Sequence, residues 1–254
     1  MPEVALALAV HDPQGHLVGK LDKLLPGLCE RFDSFAVHTT TSTHRGILER
    51  LQSVGATLRT APADPEAIGQ HRREAVGLAL EVGVVGHILY LDLDHALRWL
   101  ENDAGEMDAA VQRIQRSDCT VIGRGPRSMA TLPRRLTMTE GVVNEIFRLV
   151  SGLSWDVMMA AQGLSCRAAE AIVEDCDVDT IGNDCAWPLF CQSRGFTLDY
   201  LEANGLTYRT NPDYAADVDN RHDEDPMAWA LRVNLAAQQV EAMLPYTETD
   251  TGRS

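Results

Sequence analysis

The stretch His87-Ile88-Leu89-Tyr90-Leu91-Asp92-Leu93-Asp94 constrains the fold more than any other. An apolar run that stops at two carboxylates, two residues apart, suits a buried strand of a parallel sheet. In open α/β sheets the ligand site lies beyond the carboxyl ends of the strands, where Asp92 and Asp94 fall. Along an extended chain their side chains share one side. Two hard oxygen ligands so placed suit Mg2+ or Mn2+, and such an ion bridges to phosphate. The competing reading is a pair of acidic turn residues that open the segment of residues 96–100.

The chain ahead of this stretch alternates strand and helix. Residues 4–10 read as a first buried strand, followed by the turn His11-Asp12-Pro13-Gln14-Gly15. A helix is expected over residues 17–31, a second strand over 35–39, and a helix capped by Thr43 to about residue 54. A short strand at 57–60 follows. Then comes a helix opened by Asp64 as N-cap and Pro65 in its first turn, carrying Arg72 and Arg73. Four strand–helix alternations predict an α/β fold with a mostly parallel central sheet flanked by helices. Further on, residues 107–115 suit a helix and 119–123 a fifth strand. Residues 124–135 suit an arginine-rich loop, able to lie over the site, and 140–150 a helix. A short strand at 164–166, helices to residue 176 and over 184–194, and a late strand at 196–201 complete the expectation. Residues 211–225 are acidic and turn-rich, and 227–244 suit a last helix.

Composition narrows the partners. The 254 residues carry a formal net charge of −15, which argues against a nucleic-acid partner needing a basic face. No apolar stretch is long enough to span a bilayer, and no basic segment leads into a signal-peptide core. The six cysteines are scattered without a C-x-x-C, as expected of reduced thiols in a cytoplasmic protein.

The order of several motifs resembles the nucleotide-diphospho-sugar glycosyltransferases of the GT-A fold, family 2 and its relatives. The motifs are the first strand with Asp12 after it, Arg72-Arg73-Glu74-Ala75, and Leu91-Asp92-Leu93-Asp94. Next come Val121-Ile122-Gly123-Arg124, Asp156 with Gly163, and Asp184 ahead of Trp187-Pro188-Leu189 and Arg194-Gly195-Phe196. The resemblance implies a catalytic domain over residues 1–210. Its nucleotide-sugar half would be 1–125 and its acceptor half 126–210, with residues 211–254 as a C-terminal helical extension packed on it. It implies transfer of a sugar from a UDP- or GDP-type donor to an acceptor the sequence does not name, with Mg2+ or Mn2+ on the diphosphate. Asp12 and Asp64 would lie near the base or ribose, and Arg73 near the base or phosphates. Asp92 and Asp94 would form the D-x-D pair, one reaching ribose or metal and the other the metal. Asp184 matches the catalytic base of inverting members. Those members usually carry Glu-Asp there, whereas this chain reads Gly182-Asn183-Asp184, so base and stereochemistry stay open.

Sugar transfer needs stabilisation of the leaving diphosphate and a carboxylate for the acceptor's proton. Asp184 at a helix start serves as well for capping. His222, in Arg221-His222-Asp223-Glu224-Asp225, is the candidate third metal ligand, with an exposed turn histidine as its alternative; His95 has the same alternative. Arg124, Arg127, Arg134 and Arg135 would meet phosphate or neutralise acidic surroundings. Asp156 would orient an acceptor or cap a helix, and Trp155 and Trp187 would stack on sugar or fill the core. The apolar face of residues 227–244 suits a core or a homodimer. Three rivals remain. A haloacid-dehalogenase-like phosphatase would use Asp92 and Asp94, but normally after its first strand. A sugar nucleotidyltransferase would need a glycine-rich loop after the first strand. A catalytically silent nucleotide-sugar-binding protein is the third.

Overall fold

Alternation along the first strand, β1 (Val4–Val10), decides the layering. Val4, Leu6, Leu8 and Val10 face one apolar cluster, and Ala5 and Ala7 face another. The leucine face packs on α1 (Val18–Cys29) and α2 (Arg45–Ser53), and each fully buried leucine contributes about 2 kcal/mol by leaving water. The alanine face lets α3 (Ile68–Glu81) approach the sheet closely through Ala75, Val76 and Ala79. In this computed structural model residues 4–83, 86–208 and 222–247 are described.

Between these elements run β2 (Ser34–Thr40), β3 (Thr57–Ala61) and β4 (His87–Asp92). Then come α4 (Leu93–Asn102), α5 (Ala104–Arg113), β5 (Cys119–Arg124), α6 (Pro126–Met129) and α7 (Arg134–Ser151). The chain continues with β6 (Gln162–Ser165), α8 (Cys166–Asp175), α9 (Asn183–Ser193), β7 (Leu198–Ala203) and α10 (Pro226–Glu241). Among the described residues the sheet has seven strands in the order β3-β2-β1-β4-β6-β5-β7. All neighbours are parallel except β6, which runs antiparallel to both β4 and β5. The expected α/β class with a mostly parallel central sheet and flanking helices is what the chain forms.

Several boundaries differ from expectation, mainly because side-chain hydrogen bonds go to other partners. Helix α2 is capped by His44, whose Nδ1 accepts from the Gly46 amide at 3.0 Å; Thr43 instead donates to the Val10 carbonyl. Asp64 does not cap α3. Its carboxylate accepts from the Glu66 amide and its carbonyl from the Ala67 amide, closing a turn before the helix begins at Ile68. Residues 124–135 are not one loop, because β5 extends to Arg124, α6 follows, and α7 starts at Arg134. That early start is stabilised from far away: Asp223 accepts from the Arg134 and Arg135 amides at 2.9 and 3.2 Å and from the Arg135 guanidinium at 3.0 Å. Most of the acidic segment 211–225 lies outside the described residues.

Helix α10 is capped by Asp225, carries Pro226 in its first turn, and packs on α7 and α9. Met227, Leu231 and Val233 of α10 and Met138, Val142 and Leu149 of α7 are exposed. Arg124 is buried, holds Asp156 through Nε and Nη2 at 2.7 and 2.8 Å, and reaches Glu140 at 2.7 Å. Trp155 stacks on Tyr200, and Trp187 is fully buried against Tyr90. All six cysteines are free thiols. No helix among the described residues is long and apolar enough to cross a membrane.

Asp118 fastens one end of the sheet. Its carboxylate accepts from the Thr197 amide and hydroxyl, the Ser165 hydroxyl and the Arg167 guanidinium, at 2.7 to 3.0 Å. Burial opposes its charge, but these donors, led by the Thr197 amide, bring its pKa down to about 2 from an ordinary 3.8. The ionised form is therefore favoured in the folded state. Its contribution is complete above about pH 4 and is lost as pH falls through about 2. Asp118→Asn is expected to lose about 2 kcal/mol at pH 7 in urea unfolding. The gap from the parent protein should narrow between pH 4 and 2.

Candidate donor site

A cavity of about 580 Å³ opens at the carboxyl ends of β1, β2 and β4, against the first turns of α3. Each wall follows from local chemistry. After β1, Asp12 accepts from the Gly15 and Leu17 amides at 2.9 Å each, folding the chain back into α1. Gly15 has a φ of 75°, and a Cβ there would run into the His44 ring, so only glycine closes this turn. His11 shares a 2.8 Å hydrogen bond with Thr40 of β2. His38 of β2 stacks on His71 of α3, with ring centroids 4.8 Å apart. Burial, then the neighbouring His71, depresses His38 to about 4, so it is neutral at pH 7.

The floor is the end of β4. Asp92 closes the strand and Leu93 starts α4, so Asp94 sits in that helix's first turn rather than on an extended chain. Both carboxylates still line the same cavity. Tyr90 donates to Asp92 Oδ1 at 2.7 Å, and Arg72 Nη2 donates to Oδ2 at 3.0 Å. Burial raises the Asp92 pKa, but Arg72, His95 and the Tyr90 hydrogen bond together outweigh it and leave the carboxyl below its ordinary value. Asp94 makes no hydrogen bond among the described residues, and His95 Nε2 lies 4.0 Å from its Oδ2.

Behind the floor lies Asp184. It is not the N-cap of α9, which is Gly182; it lies inside the first turn, 2% exposed. Arg72 Nη1 reaches Asp184 Oδ1 at 2.6 Å and Asn183 Oδ1 at 3.1 Å, and Gln239 Nε2 of α10 reaches Asp184 Oδ2 at 3.3 Å. Burial pushes Asp184 up to about 6, against the pull of Arg72 and with the help of Asp92. Burial also works against the Arg72 charge, but Asp184 and then Asp92 hold that guanidinium above its ordinary value. The approach that permits this depends on Gly69, where a Cβ would collide with the backbone of residues 178–180.

The expected residues thus divide. Asp12, Asp92 and Asp94 line the cavity, with Asp184 one guanidinium away from Asp92. Asp64 is exposed in its own turn and is not on the wall. Arg73 turns the other way, to Asp179 at 2.6 Å and the Cys176 carbonyl at 2.9 Å, because adjacent helix positions point about 100° apart. His222 is exposed in a short turn anchored through Asp223. Among the described residues no three His, Cys, Asp or Glu are placed to hold a metal, so the set Asp92, Asp94 and His222 is not assembled. Sequence reasoning missed the roles of Arg72, Tyr90 and Gln239. The signal for Arg72 was its spacing with Ala75, Val76 and Ala79 on the buried face of α3.

No sequence-family model matches the chain, and no curated protein does. Solved structures match over nearly its whole length. Glucosyl-3-phosphoglycerate synthase from Mycobacterium tuberculosis, solved with Mn2+, uridine diphosphate and glucosyl-3-phosphoglycerate, gives a TM-score of 0.57 at 12% identity, covering 98% of this chain and 81% of that one. A crystal structure described as a mycobacterial protein gives 0.58 at 11% identity, covering 96% and 74%. At this level of identity the likeness is one of fold, and the fold of this chain is GT-A.

Proposed function

We propose that the chain is a metal-dependent glycosyltransferase that moves a sugar from a nucleoside-diphosphate-sugar to an acceptor. The observation that carries this reading is the placement of Asp92 and Asp94 on one cavity at the carboxyl ends of β1, β2 and β4 in a GT-A fold. Neighbours of the same fold were solved with Mn2+ and uridine diphosphate, or with uridine-diphosphate-glucose, which favours a UDP-type donor here. The donor set suits a hard cation: among the described residues Asp94 makes no hydrogen bond, and each Asp92 oxygen accepts one. A cation on these carboxylates would take its remaining ligands from phosphate and water, as Mg2+ commonly does, and would neutralise charge on the departing diphosphate.

Asp184 is the proposed base of an inverting transfer. The acceptor hydroxyl oxygen bonds to the anomeric carbon while the bond from that carbon to the diphosphate oxygen breaks. The hydroxyl proton passes to Asp184, and the nucleoside diphosphate leaves. A carboxyl near 6 accepts a proton more readily than an ordinary one. To do so it gives up one of its contacts with Arg72 and Gln239. Those same contacts favour a second reading, a nucleotide-sugar-binding protein in which Asp184 is structural. A haloacid-dehalogenase-like phosphatase would carry its nucleophile after the first strand, whereas Asp92 ends β4.

The test is a thermal-shift and calorimetric screen of UDP, GDP and ADP and their sugars, with Mn2+, Mg2+ or chelator. One nucleotide should stabilise the chain only with metal, and Asp94→Ala should lose that response; unchanged binding in the variant would remove the metal-site assignment. Asp184→Asn should retain nucleotide binding and lose sugar transfer by about a hundredfold or more. Near-normal turnover would dismiss Asp184 as the base. Binding by the parent protein with neither hydrolysis nor transfer would support the non-catalytic reading.

A further inference from the structure

The contacts of Arg72 go beyond neutralising one neighbour. Its two terminal nitrogens serve different elements: Nη2 holds Asp92 at the end of β4, and Nη1 holds Asp184 and Asn183 at the start of α9. Arg72 also forms part of the cavity wall, although its side chain is only 8% exposed. Among the described residues the guanidinium is therefore the group that touches the cavity, a donor-site carboxylate and the proposed base together.

We propose, resting on the transferase reading, that Arg72 is a positioning residue that couples the donor site to Asp184 by bridging the Asp92 and Asp184 carboxylates. The planar fork suits this task, since its nitrogens point in fixed and different directions. A lysine ammonium, a point charge on a flexible stem, would settle on one carboxylate and release the other. The groups facing Asp184 make the bridge consequential. From β4 come Asp92 and Tyr90, from α7 Glu140, from α10 the neutral Gln239 amide and from its own helix Cys185, so among these groups Arg72 supplies the positive charge. Gln239 touches Asp184 and does not touch Asp92, which makes it the natural control.

The experiment compares the parent protein with Arg72→Gln, Arg72→Lys and Gln239→Leu, reading metal-dependent UDP affinity by calorimetry and the pH profile of kcat for transfer. Arg72→Gln is expected to weaken UDP by about tenfold or more. It should also move the acidic limb of the profile upward by about one pH unit, since Asp184 loses its cationic neighbour. Gln239→Leu should move the acidic limb upward and leave UDP affinity within about twofold. Arg72→Lys should recover affinity or the pH limb, not both. It keeps the buried charge compensated and decides the matter alone if Arg72→Gln does not fold. Wild-type behaviour of Arg72→Lys in both readouts would overturn the bridge, as would an Arg72→Gln protein altered in only one. A parent protein that binds no nucleotide would overturn the transferase reading and this inference with it. Normal UDP binding by the parent together with unchanged binding by Arg72→Gln would overturn this inference alone.

Discussion

One guanidinium, buried between two carboxylates from distant parts of the chain, fixes the relation of three elements. Arg72 on α3 is bonded to Asp92 at the end of β4 and to Asp184 in α9. Burying a charge is expensive unless it is paired and hydrogen-bonded. Here each member depends on the others: without Arg72, the buried Asp184 would face the partly buried Asp92 with no cation between them, and without them the guanidinium would be stranded. Packing supports the arrangement. The alanine face of β1 admits α3, and Gly69 lets its first turn meet the backbone of residues 178–180. The chemistry of the floor is thus a consequence of small residues at two contacts.

The same device recurs with Arg124, which ties the end of β5 to Asp156 and to Glu140 of α7. Glu140 is shared with Arg232 of α10, so that helix joins the second network too. In a chain of net charge −15, the buried arginines Arg72 and Arg124 are thus used inside, where each holds two acidic partners. Arg124 and Arg135 do not cover the cavity as a basic loop, because Asp156, Glu140 and Asp223 already hold them. Helix α10 has a bearing on the site that its position in the chain conceals. Through Gln239 it touches Asp184, 55 residues earlier.

The legible part of this protein was what local pattern encodes. Residues 4–10 and 87–92 declared themselves as strands by apolar continuity, and the alternation of strand and helix announced the α/β sheet. The D-x-D pair was legible as a site because it ended such a strand. What escaped was set by tertiary partners. Asp64 sits before a proline like an N-cap, but the chain spends its carboxylate on a turn and delays the helix to Ile68. Helix α7 begins early because Asp223 reaches its first amides. Arg72 and Arg73 are chemically identical neighbours, and only the rotation of α3 against the sheet sends one to the floor and the other to Asp179. The antiparallel turn of β6 left no local mark in its four residues.

The charge of the cavity bears on why a cation belongs to the proposed reaction. The described wall carries Asp12, Asp92 and Asp94 against the guanidinium of Arg72, which is already shared between two carboxylates. Asp12 accepts from two backbone amides, and the His38 ring is held neutral at pH 7 and adds no positive charge. A nucleoside diphosphate would meet an acidic surface in an acidic protein. A divalent ion on Asp92 and Asp94 would reverse the local sign, since a bound cation is often the largest charge in its site. Arg72 alone lacks that capacity, because moving it to phosphate would leave the buried Asp184 and the partly buried Asp92 without their shared cation. The bridge that stabilises the floor would thus leave a bound cation, and not Arg72, to meet the phosphate charge in the proposed reaction.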